Sequence, residues 1–292
     1  MELIFSIVIL GISAGITLKY IFDIYEQYHI SKEIQDLESQ IDLTLLQITN
    51  RLSNRIKDSV IAYDRDSLNY IYAENSDENY EVLEWVGYDY EGNIGEWNSK
   101  INMNIGWSGF IDLNSSDTVK PQIKTPDSNL TAVHEIISSL SNGNCNLTNS
   151  CVALMFNNKD SDFNVSKFGW HNSDNKYMKI VNCKDKLNDC KNKDYIDILE
   201  FDKPDDINEI YEQYTLSWSA YAIDLNQSTL NLYYNFRPWN NMTYEDGNIS
   251  ILDEQISVFR FRQIGSIIRI KLCKFKEYKD KNITTCKERA IY

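Results

Sequence analysis

Residues 3–18, LIFSIVILGISAGITL, are apolar apart from two serines and a threonine, and Tyr20, Ile21 and Phe22 extend the run past Lys19. A helix needs about 20 residues to cross a bilayer, and a lysine near its end can carry its ammonium out to the headgroups. A cleaved signal peptide is the competing reading. Against it, only Met1 and the acidic Glu2 precede the run, where a signal peptide carries basic residues, and no small-residue cleavage signature follows. The expectation is a retained anchor. Glu2 is costly at the edge of hydrocarbon unless it finds a partner, although it could also rest idle among the headgroups. Gly11 and Gly15 form a G-x-x-x-G, a spacing that lets a second helix approach closely and that is also frequent by chance in apolar segments.

The run continues into a second constraint. Neither glycine nor proline occurs between Ile16 and Val86, which removes the usual helix breakers. Apolar residues recur at Ile30, Ile34, Leu37, Ile41, Leu45, Ile48, Leu52, Ile56 and Val60, in steps of three and four that trace one helical face. The spacing predicts one helix of about 60 residues, or about 90 Å, ending near Tyr63 where the chain turns polar. A coiled coil is the alternative. The steps drift from strict heptads toward the natural helical period, which suits packing along a globular body better. The organisation expected is a transmembrane part over 1–22, an amphipathic helix over 23–63 and a β-rich head over 64–292.

The head alternates at period two in several places. Leu216, Trp218, Ala220 and Ala222 share one face of a run, and Leu230, Leu232, Tyr234 and Phe236 share another. Phe259 and Phe261 alternate with Arg260 and Arg262, then Ile268, Ile270 and Leu272 with Arg269 and Lys271, a hairpin spacing. Further strand candidates are 81–90, 107–113 and 151–156, and a short helix is predicted over 131–140. The fold class expected is α+β: a long N-terminal transmembrane-plus-amphipathic helix packed on an antiparallel β-sheet head.

Six cysteines, Cys145, Cys151, Cys183, Cys190, Cys273 and Cys286, fall as three sequence-local pairs, all in the head. Local pairing is one of fifteen connectivities. A zinc site is the rival, but the short C-x-x-C knuckles it favours are absent. Disulfides persist in oxidising compartments, so the head is expected outside the cytoplasm.

Chemistry-bearing patterns are sparse. The chain holds 29 Lys and Arg against 43 Asp and Glu, a formal −14, which repels a phosphate backbone and argues against nucleic acid as a direct partner. Ser108 within Gly106-Trp-Ser-Gly109 only glances at a nucleophile elbow, since the second glycine is one position early. Asp160-Ser-Asp162-Phe-Asn164 begins like a calcium loop, but Val165 stands at the turn glycine and His171 at the bidentate glutamate. Asp202, Asp205, Asp206 and Glu209 surround Pro204 as a solvated turn. His29, His134 and His171 read as surface or packing residues. No catalytic residue, metal site or cofactor is expected.

The front of the chain, Glu2-Leu-Ile-Phe-Ser-Ile-Val-Ile-Leu-Gly-Ile, resembles the start of type IV pilins and type II secretion pseudopilins. The region from Leu37 and the C-terminal strands look most like minor pseudopilins of the larger, J- or W-type class. The resemblance implies a pilin-like fold and a non-enzymatic subunit anchored in the bacterial inner membrane by a single pass, with its head in the periplasm. Such a subunit would help initiate or cap a type II secretion or type IV pilus-like filament. The partners implied are other pilin or pseudopilin subunits, the inner-membrane assembly platform and the lipid bilayer. A prepilin peptidase joins them only if the true start lies upstream of Met1, where that family carries a basic leader ending in Gly-Phe-Thr. Glu2 would pair with the N-terminal amine of a neighbouring subunit, and Gly11 and Gly15 would permit close helix approach. The family's usual span proline is missing, which predicts a straighter helix. A single-pass membrane-anchored sensor or ligand-binding module is the alternative.

Overall fold

A single helix of 52 residues, α1 (Glu2–Ser53), runs without a break in the computed structural model, which describes residues 2–99, 103–157, 164–278 and 281–292. At 1.5 Å per residue its length is about 78 Å. It stops ten residues before Tyr63, the end expected from the apolar stripe. The amides of Asn54 and Arg55 tighten the last turn onto the Arg51 and Leu52 carbonyls, at 3.3 and 3.2 Å. The Arg55 guanidinium then donates to the Leu52 carbonyl (2.6 Å) and to the Ser266 carbonyl (2.5 Å), capping the negative end of the helix. Ile56 N–H donates to the Val86 carbonyl at 2.9 Å, and from there the backbone belongs to a sheet.

The strands up to the middle of the chain are β1 (Ile61–Asp64), β2 (Asn69–Tyr72), β3 (Val82–Val86), β4 (Glu96–Asn98), β5 (Met103–Ile105), β6 (Gln122–Lys124) and β7 (Ala153–Phe156). They continue as β8 (Lys179–Cys183), β9 (Ile198–Phe201), β10 (Tyr214–Ser217), β11 (Ala220–Asn226) and β12 (Thr229–Phe236). The last four are β13 (Asn248–Glu254), β14 (Ile256–Ile264), β15 (Ile267–Tyr278) and β16 (Lys281–Ile291). Two further helices are described, α2 (Tyr90–Ile94) and α3 (Leu130–Leu140).

Every strand pairing is antiparallel. The first sheet runs β13-β12-β11-β3-β1-β2, the second β10-β7-β8-β9-β6 and the third β14-β15-β16, with β4 and β5 forming a small hairpin. The first sheet lies between two cores. Leu83, Trp85, Ile223, Leu230 and Leu232 of one face meet Ile41, Leu45, Ile48 and Leu52 of α1 together with Phe259, Ile268, Ile270, Leu272 and Ile291 of the third sheet. Val82, Val86, Ala220, Ala222 and Phe236 of the other face meet Phe168, Trp170, Trp239 and Tyr244. A third core joins α3 to the second sheet. The chain is therefore α+β, with a long apolar N-terminal helix and antiparallel sheets.

Two local expectations change. The alternation from Leu216 to Ala222 spans two strands in different sheets: β10 ends at Ser217, Trp218 and Ser219 turn the corner, and β11 starts at Ala220. Residues 107–113 form no ladder beyond a single bridge between Phe110 and Gln213, because Trp107 and Ile111 are drawn into the α3 core instead. The hairpin expected from Phe259 to Leu272 forms and extends over 256–278, with Gly265 at φ +57° in its turn, a left-handed value that glycine adopts without strain.

Candidate membrane and assembly surface

The two halves of α1 live in different surroundings. Every residue from Ile4 to Tyr25 is exposed, including Ile4, Phe5, Ile7, Val8, Ile9 and Leu10. This is one helix long and apolar enough to cross a membrane, and by length and composition a signal sequence meets the same description. Its hydroxyls are already satisfied. Ser13 donates to the Leu10 carbonyl (3.0 Å) and Thr17 to the Ser13 carbonyl (2.8 Å), which removes most of their cost in hydrocarbon. Open space surrounds the Cα positions of Gly11 and Gly15, so the G-x-x-x-G faces no part of its own chain. Glu2 is the first residue of α1, and its side chain lies outside the described residues. Tyr20, Phe22, Tyr25 and Tyr28 follow Lys19, with His29 edge-on to Tyr25 at 4.5 Å between ring centroids. Aromatic residues with one polar tip favour the bilayer boundary.

From Leu37 onward the helix is seated. Leu37, Ile41, Leu45, Ile48 and Leu52 are at most 2% exposed, on the stripe that the spacing predicted. Charged contacts on either side hold the rotation. Lys276 reaches Glu33 (2.5 Å) and Lys287 reaches Asp42 (2.6 Å). Asp253 accepts a hydrogen bond from Thr44 at 2.8 Å and pairs with the buried Lys274, joining α1, β13 and β15.

The cysteines close as the three local pairs: Cys145–Cys151, Cys183–Cys190 and Cys273–Cys286. The first two lie in the α3 core, and His134 rests its Nδ1 3.6 Å from the Cys190 sulfur. The third joins directly opposite residues of β15 and β16.

Several buried ionisable groups escaped sequence reasoning. Glu84 and His171 meet at 2.8 Å, with the Tyr63 ring stacked on the imidazole at 4.0 Å between centroids. Burial raises the Glu84 pKa, and hydrogen bonding from His171 opposes this. Its second oxygen has no partner among the described residues. The only signal in the sequence is an acid inside the apolar run Val82-Leu83-Glu84-Trp85-Val86. Asp89 is pushed up to about 7 by burial, against hydrogen bonds from Gly92 N–H and the Trp107 indole. Asp224, almost fully buried, pairs with Arg65 at 2.8 Å.

The other candidates have structural partners. Ser108 sits in a turn where its N–H donates to the Ser128 hydroxyl at 2.9 Å. Asp160 and Asp162 lie outside the described residues, and His171 faces Glu84 instead of a cation loop. Asp205 and Asp206 form a short 3-10 turn with Pro204. Among the described residues no group of three His, Cys, Asp or Glu is placed to hold a metal ion. A cavity of about 480 Å³ opens below the C-terminal end of α1, lined by Gln47, Asn50, Arg51, Tyr88, Glu91 and Tyr221, and neither Glu84 nor His171 reaches it. The arrangement offers an apolar surface on the helix and a braced head, with the Glu84–His171 pair away from that cavity.

No family model, no curated protein and no solved structure matches this chain.

Proposed function

We propose that this chain is a pilin-like subunit, a minor pilin or pseudopilin, which is anchored by α1 and helps initiate or cap a type II secretion or type IV pilus-like filament. The observation that carries the proposal is the division of one unbroken helix. Its front half exposes apolar side chains on all sides, and its rear half is locked into a β-rich head. A simple anchor needs no such continuity, whereas a subunit that leaves the bilayer and packs by the same helix does. The three disulfides support a head on the oxidising, periplasmic side of an inner membrane. Function on this reading is mechanical and recognitive, without turnover. Glu2 takes the role of pairing with a neighbour's N-terminal amine, which compensates a carboxylate otherwise costly in the membrane.

Replacement of Glu2 by leucine tests this. The Glu2→Leu variant is expected to insert in the membrane normally and to lose co-purification with partner pilins. Recovery of those partners at the wild-type level would remove the assembly role. The cavity below α1 favours a second reading, a membrane-anchored binding module, because Arg51 lies 5.7 Å from the Tyr221 ring at its wall. Saturable binding of a small solute that Arg51→Ala abolishes, in a chain that recovers no pilin, would select it.

A further inference from the structure

The third sheet has the opposite charge to the rest of the molecule. Residues 256–292 hold ten Lys and Arg against three Asp and Glu, a formal +7, and the other 255 residues therefore carry −21. Part of this positive charge is used internally. Lys276 and Lys287 pair with Glu33 and Asp42 of α1.

The outward face is different. Arg260 of β14 stands directly opposite Lys271 of β15, and Arg262 directly opposite Arg269. All four side chains are exposed. Like charges at directly opposed positions destabilise an antiparallel pair. Among the described residues one carboxylate serves the group: Glu288, opposite Lys271 on β16, lies 3.8 Å from Arg269. Among the described residues Arg260, Arg262 and Lys271 form no ion pair. Two rungs on, the Cys273–Cys286 disulfide fixes β15 to β16 against this repulsion. The inner face of the same strands is apolar and buried on α1. A head that needed the hairpin only to cover its helix would have no use for four clustered cations outside.

We propose that this basic face docks on the acidic surface of a second copy of the chain. The complement is present in every copy, in the −21 carried by the other 255 residues. A basic patch meeting an acidic one is a head-to-tail contact, in which the two copies present different faces instead of closing a two-fold pair. Anchorage of both copies in one membrane raises their effective concentration, so a weak contact suffices. The bilayer is not the occupant. Lys287 pairs with Asp42 one rung from the patch, and Asp42 lies 20 residues beyond Phe22. That spacing is about 30 Å of helix, well beyond a screening length of about 10 Å. Nucleic acid is disfavoured by the charge of the remaining chain. The inference rests on reading the protein as an assembling subunit and names the contact such a subunit uses.

Energy transfer between two dye-labelled populations of the full chain, in nanodiscs holding several copies, tests the contact. Association is expected at about 50 mM salt and should weaken at least about tenfold near 500 mM, where screening is within a few ångströms. Replacing Arg260, Arg262, Arg269 and Lys271 together by glutamine should abolish it. Glu288→Gln, which removes the patch's one carboxylate, should strengthen it, and a folding defect would not produce that gain. Three results would overturn the proposal: a wild-type chain that stays unassociated at low salt, a glutamine variant that associates as well as wild type, or capture of duplex DNA by the patch without self-association. The subunit reading fails on another measurement, a wild-type chain that recovers no partner pilins, so the two failures are distinguishable.

Discussion

Glu84 and His171 stand 87 residues apart in the sequence and 2.8 Å apart in the fold. Glu84 is fully buried and His171 half-buried beneath Tyr63, so removal of the imidazole leaves the Glu84 carboxyl with the full cost of desolvation. His171→Ala is expected to destabilise the head by about 2–3 kcal/mol, and adding Glu84→Leu should return part of that loss; urea unfolding of the three variants checks both. Asp89 sets a pH dependence. Its pKa rises from 3.8 to about 7 on folding. A carboxyl shifted this way holds its proton more tightly when folded, so its contribution is complete below about pH 4 and is lost as the pH climbs through about 7. Asp89→Asn should flatten that decline in unfolding midpoints taken across the same window, and an unaltered slope would assign the titration to another group. None of this was legible beforehand. A lone acid in an apolar run shows that a partner is needed, but not which residue supplies it, and His171 read as an ordinary packing residue.

Among the elements, α1 was read correctly along its buried stripe and wrongly at its end. The stripe is legible because Leu37 to Leu52 must face one way to reach the third sheet. Ile56 and Val60 keep the same spacing after the helix has stopped, since the 3-10 turn and β1 bury them too. Period alone does not register that change of backbone. β16 escaped for the converse reason: its inward positions include Lys287 and Arg289, which face acids of α1, so the apolar alternation of a strand is lost. The cysteine pairs were legible as local loops, though one of many connectivities. Leu45, 1% exposed, lies between helix and sheets, and Leu45→Ala should cost about 2–5 kcal/mol in chemical unfolding of the full chain in detergent. Cys273 and Cys286 are separated by 13 positions, and Cys273→Ser should cost about 3 kcal/mol in the same assay, since the closed loop restricts the unfolded chain. A variant as stable as wild type would show that the strand ladder alone holds the hairpin.

At the scale of the molecule, exposure divides labour along one helix. Leu10, 67% exposed, contributes nothing to the head, and so tests the anchor alone. Leu10→Arg is expected to cost about 2.5–3.5 kcal/mol of insertion and to release the chain from membranes under carbonate extraction, with the thermal transition of the head unchanged. Retention in the pellet would count against a spanning role for this segment. The same continuity that separates these tasks also ties them mechanically. Ser53 ends α1 about 47 Å beyond Phe22, with no glycine or proline between them to act as a joint. A tilt of about ten degrees at the lipid-facing end would swing that far end sideways by about 8 Å, carrying the third sheet with it. The chain is built as a lever, and a push at its foot is felt at its top.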